Sequence, residues 1–295
     1  MLSVTTLVLT IDAAIHSCRR IRDPILAACG QVVIGLVEVN VMVSRFHITE
    51  LLKAGTFTLD TSEFHHMVRV TRHKVGDTVR MFDGSGREAD AEITFLSRSA
   101  ATLNVGKVEA MPEENGPQFI LAVPIPKLAR AGWIVEKAVE LGVSKLIPIG
   151  TTRSVVDPRE TKLDNLRASV ISAMKQSGRS RAMEITAVMK WSDFVSSVVP
   201  QHATVVAHPG GVPFTSAFIC GALADAAKRS GLTKSKDGSP TFLAVAGPEG
   251  GFTVEEVTQA VTSGARLTSL GPRILRVETA ALAMASIFLS SQLER

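Results

Sequence analysis

The chain is expected to fold as an α/β protein in two parts, a small antiparallel β-barrel over residues 44–110 and a parallel sheet flanked by helices over residues 119–295. Three observations predict this. Short alternating runs separated by turn residues fill the first part, and strand and helix patterns alternate through the second. Between them, Met111-Pro112-Glu113-Glu114-Asn115-Gly116-Pro117 collects proline, glycine and charge without periodicity, which marks residues 111–118 as a linker. A length of 295 residues exceeds the usual size of one domain and leaves room for two cores.

In the first part, Gly55–Leu59, Thr78–Phe82, Ala89–Leu96 and Ala101–Val108 read as strands. Gly76-Asp77 and Asp83-Gly84-Ser85-Gly86 supply the turn chemistry of hairpins, and one helix, Ser62–Thr71, interrupts the barrel. In the second part, Phe119–Val123, Lys145–Ile149, Thr204–Ala207 and Thr241–Ala246 read as strands, with helices over Leu128–Leu141 and Lys162–Gln176. Such alternation implies parallel pairing beneath helices. Thr233–Pro240 is a polar surface loop, and Ala280–Leu289, apolar nearly all round, belongs in the core or in a dimer interface.

Hydrophobic residues make up 45% and charged residues 20%, a balance far from the depleted composition of disordered chains. A formal charge of +4 suits a polyanionic partner without requiring one. With no tyrosine and two tryptophans, an aromatic stacking platform for single-stranded RNA is disfavoured, so nucleic-acid binding must lean on cations and shape. Cys18, Cys29 and Cys220 are too scattered for a disulfide framework or a zinc site, and a reducing cytoplasm is the expected compartment.

Residues 1–43 carry two apolar stretches, Val4–Ile11 and Ile25–Val43. The charged run Arg19-Arg20-Ile21-Arg22-Asp23 between them gives the wrong order for a secretory signal, and Gln31, Glu38 and Asn40 disfavour a membrane span. The favoured reading is a misassigned start ahead of Met42, the other a lineage-specific extension; no membrane association is expected.

Two segments carry chemistry. The apolar run Thr241–Ala246 feeds into Gly247-Pro248-Glu249-Gly250-Gly251-Phe252 and then a helix whose Thr253 and Glu256 form a capping-box pattern, closed by Gly264. The glycines therefore sit at the carboxyl end of a strand, where open α/β sheets bind ligands. They lack the lysine and hydroxyl of a phosphate loop and do not match a dinucleotide fingerprint. Taken alone they are equally consistent with a tight turn. The second segment, Leu270-Gly271-Pro272-Arg273-Ile274-Leu275-Arg276-Val277-Glu278-Thr279-Ala280, is a sharp loop that opens a helix over Thr279–Leu293 and presents amides and cations together.

To these add Phe64-His65-His66-Met67-Val68-Arg69-Val70 with Arg72 and Lys74-Val75-Gly76-Asp77, then Lys137-Ala138-Val139-Glu140-Leu141-Gly142-Val143, Arg153-Ser154-Val155 and Gln176-Ser177-Gly178-Arg179. In this order and spacing the chain from Arg45 onward resembles the bacterial 16S ribosomal RNA uracil-N3 methyltransferases, the ribosomal small-subunit methyltransferase E family of the trefoil-knotted SPOUT class. The resemblance implies a PUA-like barrel that grips RNA, a knotted domain that binds S-adenosylmethionine in a bent form, a homodimer, and 16S ribosomal RNA of the small subunit as partner, with no metal. It implies cofactor contacts from Gly247, Pro248, Glu249, Gly250, Gly251, Leu270, Gly271, Ile274, Leu275 and Arg276. The chain departs from the family at Lys175, where an acidic residue is common, and in a basic start thinned to Ser44-Arg45.

Arg69, Arg72 and Lys74 cluster on one short segment and lead the expected RNA contacts, joined by Arg45, Arg179 and Arg273; a solvated face is the plainer reading. His65, His66 and His73 lack the carboxylate or cysteine that would complete a metal set. Lys137 and Glu140, three apart, pair with each other. Methylating uracil N3 requires a flipped or unpaired base and removal of the N3 proton. Arg276 is the candidate to stabilise the uracil anion, and Glu278 or Glu249 to accept the proton. Other readings stay open: a silent RNA-binding or ribosome-assembly factor, a methyltransferase of the same class acting on another RNA base, and a non-RNA enzyme that uses the glycine loop for a small anionic ligand.

Overall fold

The structure is a computed structural model describing residues 43–59, 61–112, 116–126, 128–154, 163–229, 231–235 and 237–293. The readings of the extension before Val43, of the linker centre 113–115 and of Val155 lie outside the described residues.

The first part forms a six-stranded sheet from β1 (Arg45–His47), β2 (Gly55–Leu59), β3 (Thr78–Phe82), β4 (Arg87–Leu96), β5 (Ala101–Val105) and β6 (Glu109–Ala110). Its order is β1-β3-β4-β5-β2, with β6 on β4. All pairs are antiparallel except β1 with β3. Alternate residues of β4 point inward, so Ala89, Ala91 and Ile93 join Phe46, Met67, Val79, Met81 and Leu103 in one core. The expected helix is α1 (Thr61–His65) continued by a wider turn over His66–Val70. Two strands, β1 and β6, escape sequence patterning because two or three residues cannot display a period.

The second part is a seven-stranded sheet of β7 (Phe119–Val123), β8 (Lys145–Gly150), β9 (Glu184–Ile185), β10 (Met189–Lys190), β11 (Ala203–Pro213), β12 (Phe242–Val245) and β13 (Arg266–Ser269). The order is β10-β8-β7-β12-β11-β13, with β9 on β8, and every pair is parallel. Burial on both faces explains why β7 and β12 read as unbroken apolar runs. Helices α2 (Leu128–Glu140), α3 (Leu163–Ser177), α4 (Trp191–Ser197), α5 (Ser216–Ala227), α6 (Val254–Thr262) and α7 (Val277–Leu293) cover it. From the edge strand β13 the chain returns in α7 to pack on α2, α5, β7 and β12. Val277, Ala280, Ala281, Met284, Ala285 and Phe288 thereby enter the core, which accounts for that helix's apolar girth.

The two sheets are joined by specific contacts. Turn residues Gly84 and Gly86 exchange backbone hydrogen bonds with the 180–182 segment: the Gly86 amide donates to the Ser180 carbonyl at 3.0 Å, and the Ala182 amide to Gly84 at 2.8 Å. The buried carboxylate of Glu88 pairs with Arg45 and with Arg80. Arg45 also donates to the Arg179 carbonyl at 3.3 Å and to Ser180 Oγ at 3.2 Å. Lys137 pairs with Glu140 at 2.8 Å, as the spacing predicts. Among the described residues, no helix is long and apolar enough to cross a membrane.

Candidate active site

All strands of the second sheet run the same way, so the loops leaving β11, β12 and β13 emerge at one edge. The loop after β12 turns back at once, its Gly251 amide donating to the Pro248 carbonyl at 2.8 Å. It then enters α6 through the expected capping box. Thr253 Oγ1 accepts from the Glu256 amide at 3.2 Å, and Glu256 Oε2 accepts from the Thr253 amide at 2.8 Å.

Glu256 does more than cap. Its other oxygen accepts from both the amide and the hydroxyl of Thr152, at 2.7 and 3.0 Å, and the side chain is buried. Next to it, Arg153 donates to the Gly250 carbonyl at 2.7 Å. The loop after β8 thus buttresses the glycine loop from outside.

The second wall is the loop after β13, where the Gly271 amide donates to Ser269 Oγ at 3.2 Å. The third is Ala207-His208-Pro209, bulged out of β11 between its two stretches of pairing with β13. The bulge requires Gly211, because a Cβ there would stand 2.4 Å from the Thr268 backbone nitrogen.

These three loops enclose one cleft, lined by Ala207, His208, Pro209, Gly247, Pro248, Glu249, Gly251, Phe252, Ser269, Leu270, Gly271, Arg273, Ile274, Leu275 and Ala280. The walls combine apolar side chains with the peptide groups of three glycines, and the polar side chains among them include the carboxylate Glu249 and the single cation Arg273. That donor set fits a flat heterocycle carrying a small polar tail better than a polyphosphate. Phe252 packs against Gly247 so closely that a Cβ on Gly247 would lie 2.8 Å from the ring, and the buried Trp191 ring stands 4.9 Å beyond. S-adenosylmethionine has the character that this cleft suits.

Of the residues expected to hold a cofactor, Gly247, Pro248, Glu249, Gly251, Leu270, Gly271, Ile274 and Leu275 line the cleft. Gly250 and Arg276 stand outside its wall, Gly250 under Arg153 and Arg276 exposed at the start of α7. Arg273, expected at RNA, is in the wall. Glu278 is buried, with Oε1 3.8 Å from Arg130 and Oε2 without a hydrogen-bond partner among the described residues. Sequence reading missed Ala207-His208-Pro209, although a strand ending in His-Pro-Gly-Gly was the available signal.

Arg69, Arg72 and Lys74 are exposed on one edge of the barrel, and Arg72 holds a left-handed backbone with φ of 57°. Asp77 fixes this turn by accepting from the Lys74 amide at 2.8 Å and contacting His73 Nδ1 at 3.2 Å. The first of these contacts, ahead of the second, lowers the Asp77 pKa. By contrast, Arg45 and Arg179 turn inward. Arg179 donates to the carbonyls of Val139 and Val143, at 3.3 and 2.7 Å, at the end of α2. Among the described residues no group of three or more histidine, cysteine, aspartate or glutamate side chains is arranged to hold a metal.

Comparison with known proteins gives concordant matches. The family described as RNA methyltransferase domain matches residues 113–289, and the RNA methyltransferase PUA domain matches residues 59–106. The chain is similar to ribosomal RNA small subunit methyltransferase E of Bacillus subtilis, 30% identical over 256 residues, covering 83% of this chain and 94% of the relative. The Synechocystis protein of the same name is 29% identical over 247 residues, covering 82% and 76%. Among solved structures, ribosomal RNA small subunit methyltransferase E from Neisseria gonorrhoeae bound to S-adenosylmethionine superposes with a TM-score of 0.69 at 26% identity, covering 83% of this chain and 96% of that one. A Legionella pneumophila methyltransferase in complex with S-adenosylmethionine gives a TM-score of 0.70, also at 26% identity, covering 84% and 98%.

Proposed function

We propose, for a chain that belongs to the RNA methyltransferase family alongside the ribosomal RNA small subunit methyltransferases E, that it transfers a methyl group from S-adenosylmethionine to N3 of a uridine in 16S ribosomal RNA. The observation that carries this reading is the cleft at one sheet edge, walled by the glycine loop after β12 and the loop after β13. Bound there, S-adenosylmethionine supplies an electrophilic methyl group on a sulfonium. Gly247, Glu249, Gly251, Leu270, Gly271, Ile274 and Leu275 would hold it, with Pro248 stiffening the loop and Gly250 keeping Arg153 in place.

The remaining work falls on this chain's own side chains. A uracil N3 carries a proton at neutral pH, so the site must accept it and offset the charge left on the base. We assign the proton to Glu278, whose Oε2 is buried and lacks a partner among the described residues. Arg276, exposed at the mouth of the same loop, is assigned to the base anion. Arg69, Arg72, Lys74 and Arg273 are assigned to RNA phosphates, with Arg45 holding the barrel against the second sheet and the Arg179 side chain bracing the end of α2. The trefoil knot and the homodimer that the resemblance implies belong to this reading, as does the cytoplasmic location expected from the scattered cysteines. The return of α7 from the edge strand to the sheet centre supports the knot alone.

The test is transfer of isotopically labelled methyl from S-adenosylmethionine to small ribosomal subunits taken from a strain lacking this modification. Label incorporated into 16S RNA supports the reading; no incorporation into any RNA favours a silent binding factor.

A further inference from the structure

Arg130 lies in the first turns of α2, outside both loops that carry the site motifs. A single nitrogen of its guanidinium, Nη1, stands 2.8 Å from Glu249 Oε1 and 3.8 Å from Glu278 Oε1. Glu249 belongs to the glycine loop and Glu278 to the helix that the second loop opens, so one cation faces carboxylates from both sides of the cleft. The backbones around it are stiff: Pro124 and Pro126 follow β7, and Pro248 sits in the glycine loop, all beside Arg130. Ion pairs at a surface contribute little, and Arg130 and Glu249 are 39% and 37% exposed. Glu278 differs, since its side chain is 10% exposed and Arg130 is the cation that the described residues bring to it.

We propose that Arg130 is a positioning residue for methyl transfer, setting the spacing between the two walls of the cofactor cleft by tying Glu249 to Glu278. The inference rests on the assignment of that cleft to S-adenosylmethionine. It makes Arg130 act through the two carboxylates, without itself touching the cofactor or the base.

The test is calorimetric titration of S-adenosylmethionine into the full chain and into Arg130→Gln, Arg130→Lys, Glu249→Gln and the Arg130→Gln/Glu249→Gln double variant, with thermal midpoints measured alongside. The expected result is about tenfold weaker binding in Arg130→Gln, with a midpoint within about 2 °C of the unaltered chain. Arg130→Lys, which keeps a single cationic nitrogen, should stay within about threefold, and the double variant should lose less than the sum of the two single losses because the two residues share one link. Unchanged affinity in Arg130→Gln overturns the inference. Additive losses in the double variant, or affinity falling together with the midpoint in both Arg130→Gln and Arg130→Lys, overturn it as well. If the unaltered chain binds no S-adenosylmethionine, the assignment of the cleft falls instead.

Discussion

Lys175 and Glu63 lie 112 positions apart in the chain and form an ion pair that fastens α3 to the first helix of the barrel. The resembled family commonly carries an acidic residue at the position of Lys175; here a lysine meets an acid on the facing helix. Both side chains are about one-fifth exposed, so the pair is partly shielded from solvent. Lys175→Glu should therefore set two carboxylates against each other and cost about 2 kcal/mol in urea unfolding. Adding Glu63→Lys should recover most of that loss. Full stability in Lys175→Glu alone would contradict the pair's role in holding the two sheets together.

Gly247→Ala places a methyl group against the Phe252 ring, which lines the cleft and stands 4.9 Å from Trp191. The ring must shift, so S-adenosylmethionine affinity should fall by at least about tenfold, roughly 1.4 kcal/mol. Since Trp133 is the other tryptophan, emission in a Trp133→Phe background reports Trp191 alone and should change with the substitution. Unaltered emission with unaltered affinity would contradict this packing.

Arg72 combines an exposed cation with a left-handed backbone, φ 57°. Arg72→Gly should therefore raise stability by up to about 1 kcal/mol while weakening RNA binding. Neutralising Arg69, Arg72 and Lys74 together should reduce the slope of log affinity against log salt by about 2 to 3 and leave S-adenosylmethionine affinity unchanged. An unchanged salt slope would remove this edge of the barrel from the RNA interface.

His202 is buried, contacts Thr241 Oγ1, and has its pKa pushed down from 6.5 to about 4, by burial first and by Lys145 second. Between those values the unfolded chain binds the proton and the folded chain does not, so stability rises with pH across that window. Lowering pH from 6.5 towards 4 should cost up to about 3 kcal/mol, with no contribution from this group above 6.5. Urea midpoints at several pH values should show this slope, and His202→Gln should flatten it.

What was legible in the sequence was local. The capping box of Thr253 and Glu256 and the apolar run into Gly247 are short-range patterns, and each could be read from neighbours in the chain. Strand order was not legible, because the placing of β12 between β7 and β11 depends on packing across more than a hundred positions. The helix α5 and the strand β13 gave no clear period, one being apolar on most faces and the other four residues long. The same reason hid Arg130 and the bond from Thr152 to Glu256, 104 positions away, which arise only when separate loops converge. Exposure also recast the cations: Arg45 and Arg179 look like RNA contacts in sequence, yet they donate to this chain's own carboxylate, hydroxyl and carbonyl groups.

Methyl transfer to uracil N3 in the cleft between the two loops leaves a product that can be read directly. Its most direct measurement is mass spectrometry of nucleosides from 16S RNA, after unmodified small subunits are incubated with the protein and S-adenosylmethionine. The expected product is 3-methyluridine, dependent on the cofactor and strongly reduced by Glu278→Gln. Methyl appearing on a different base would contradict the uridine assignment, and no methylated nucleoside at all would contradict catalysis.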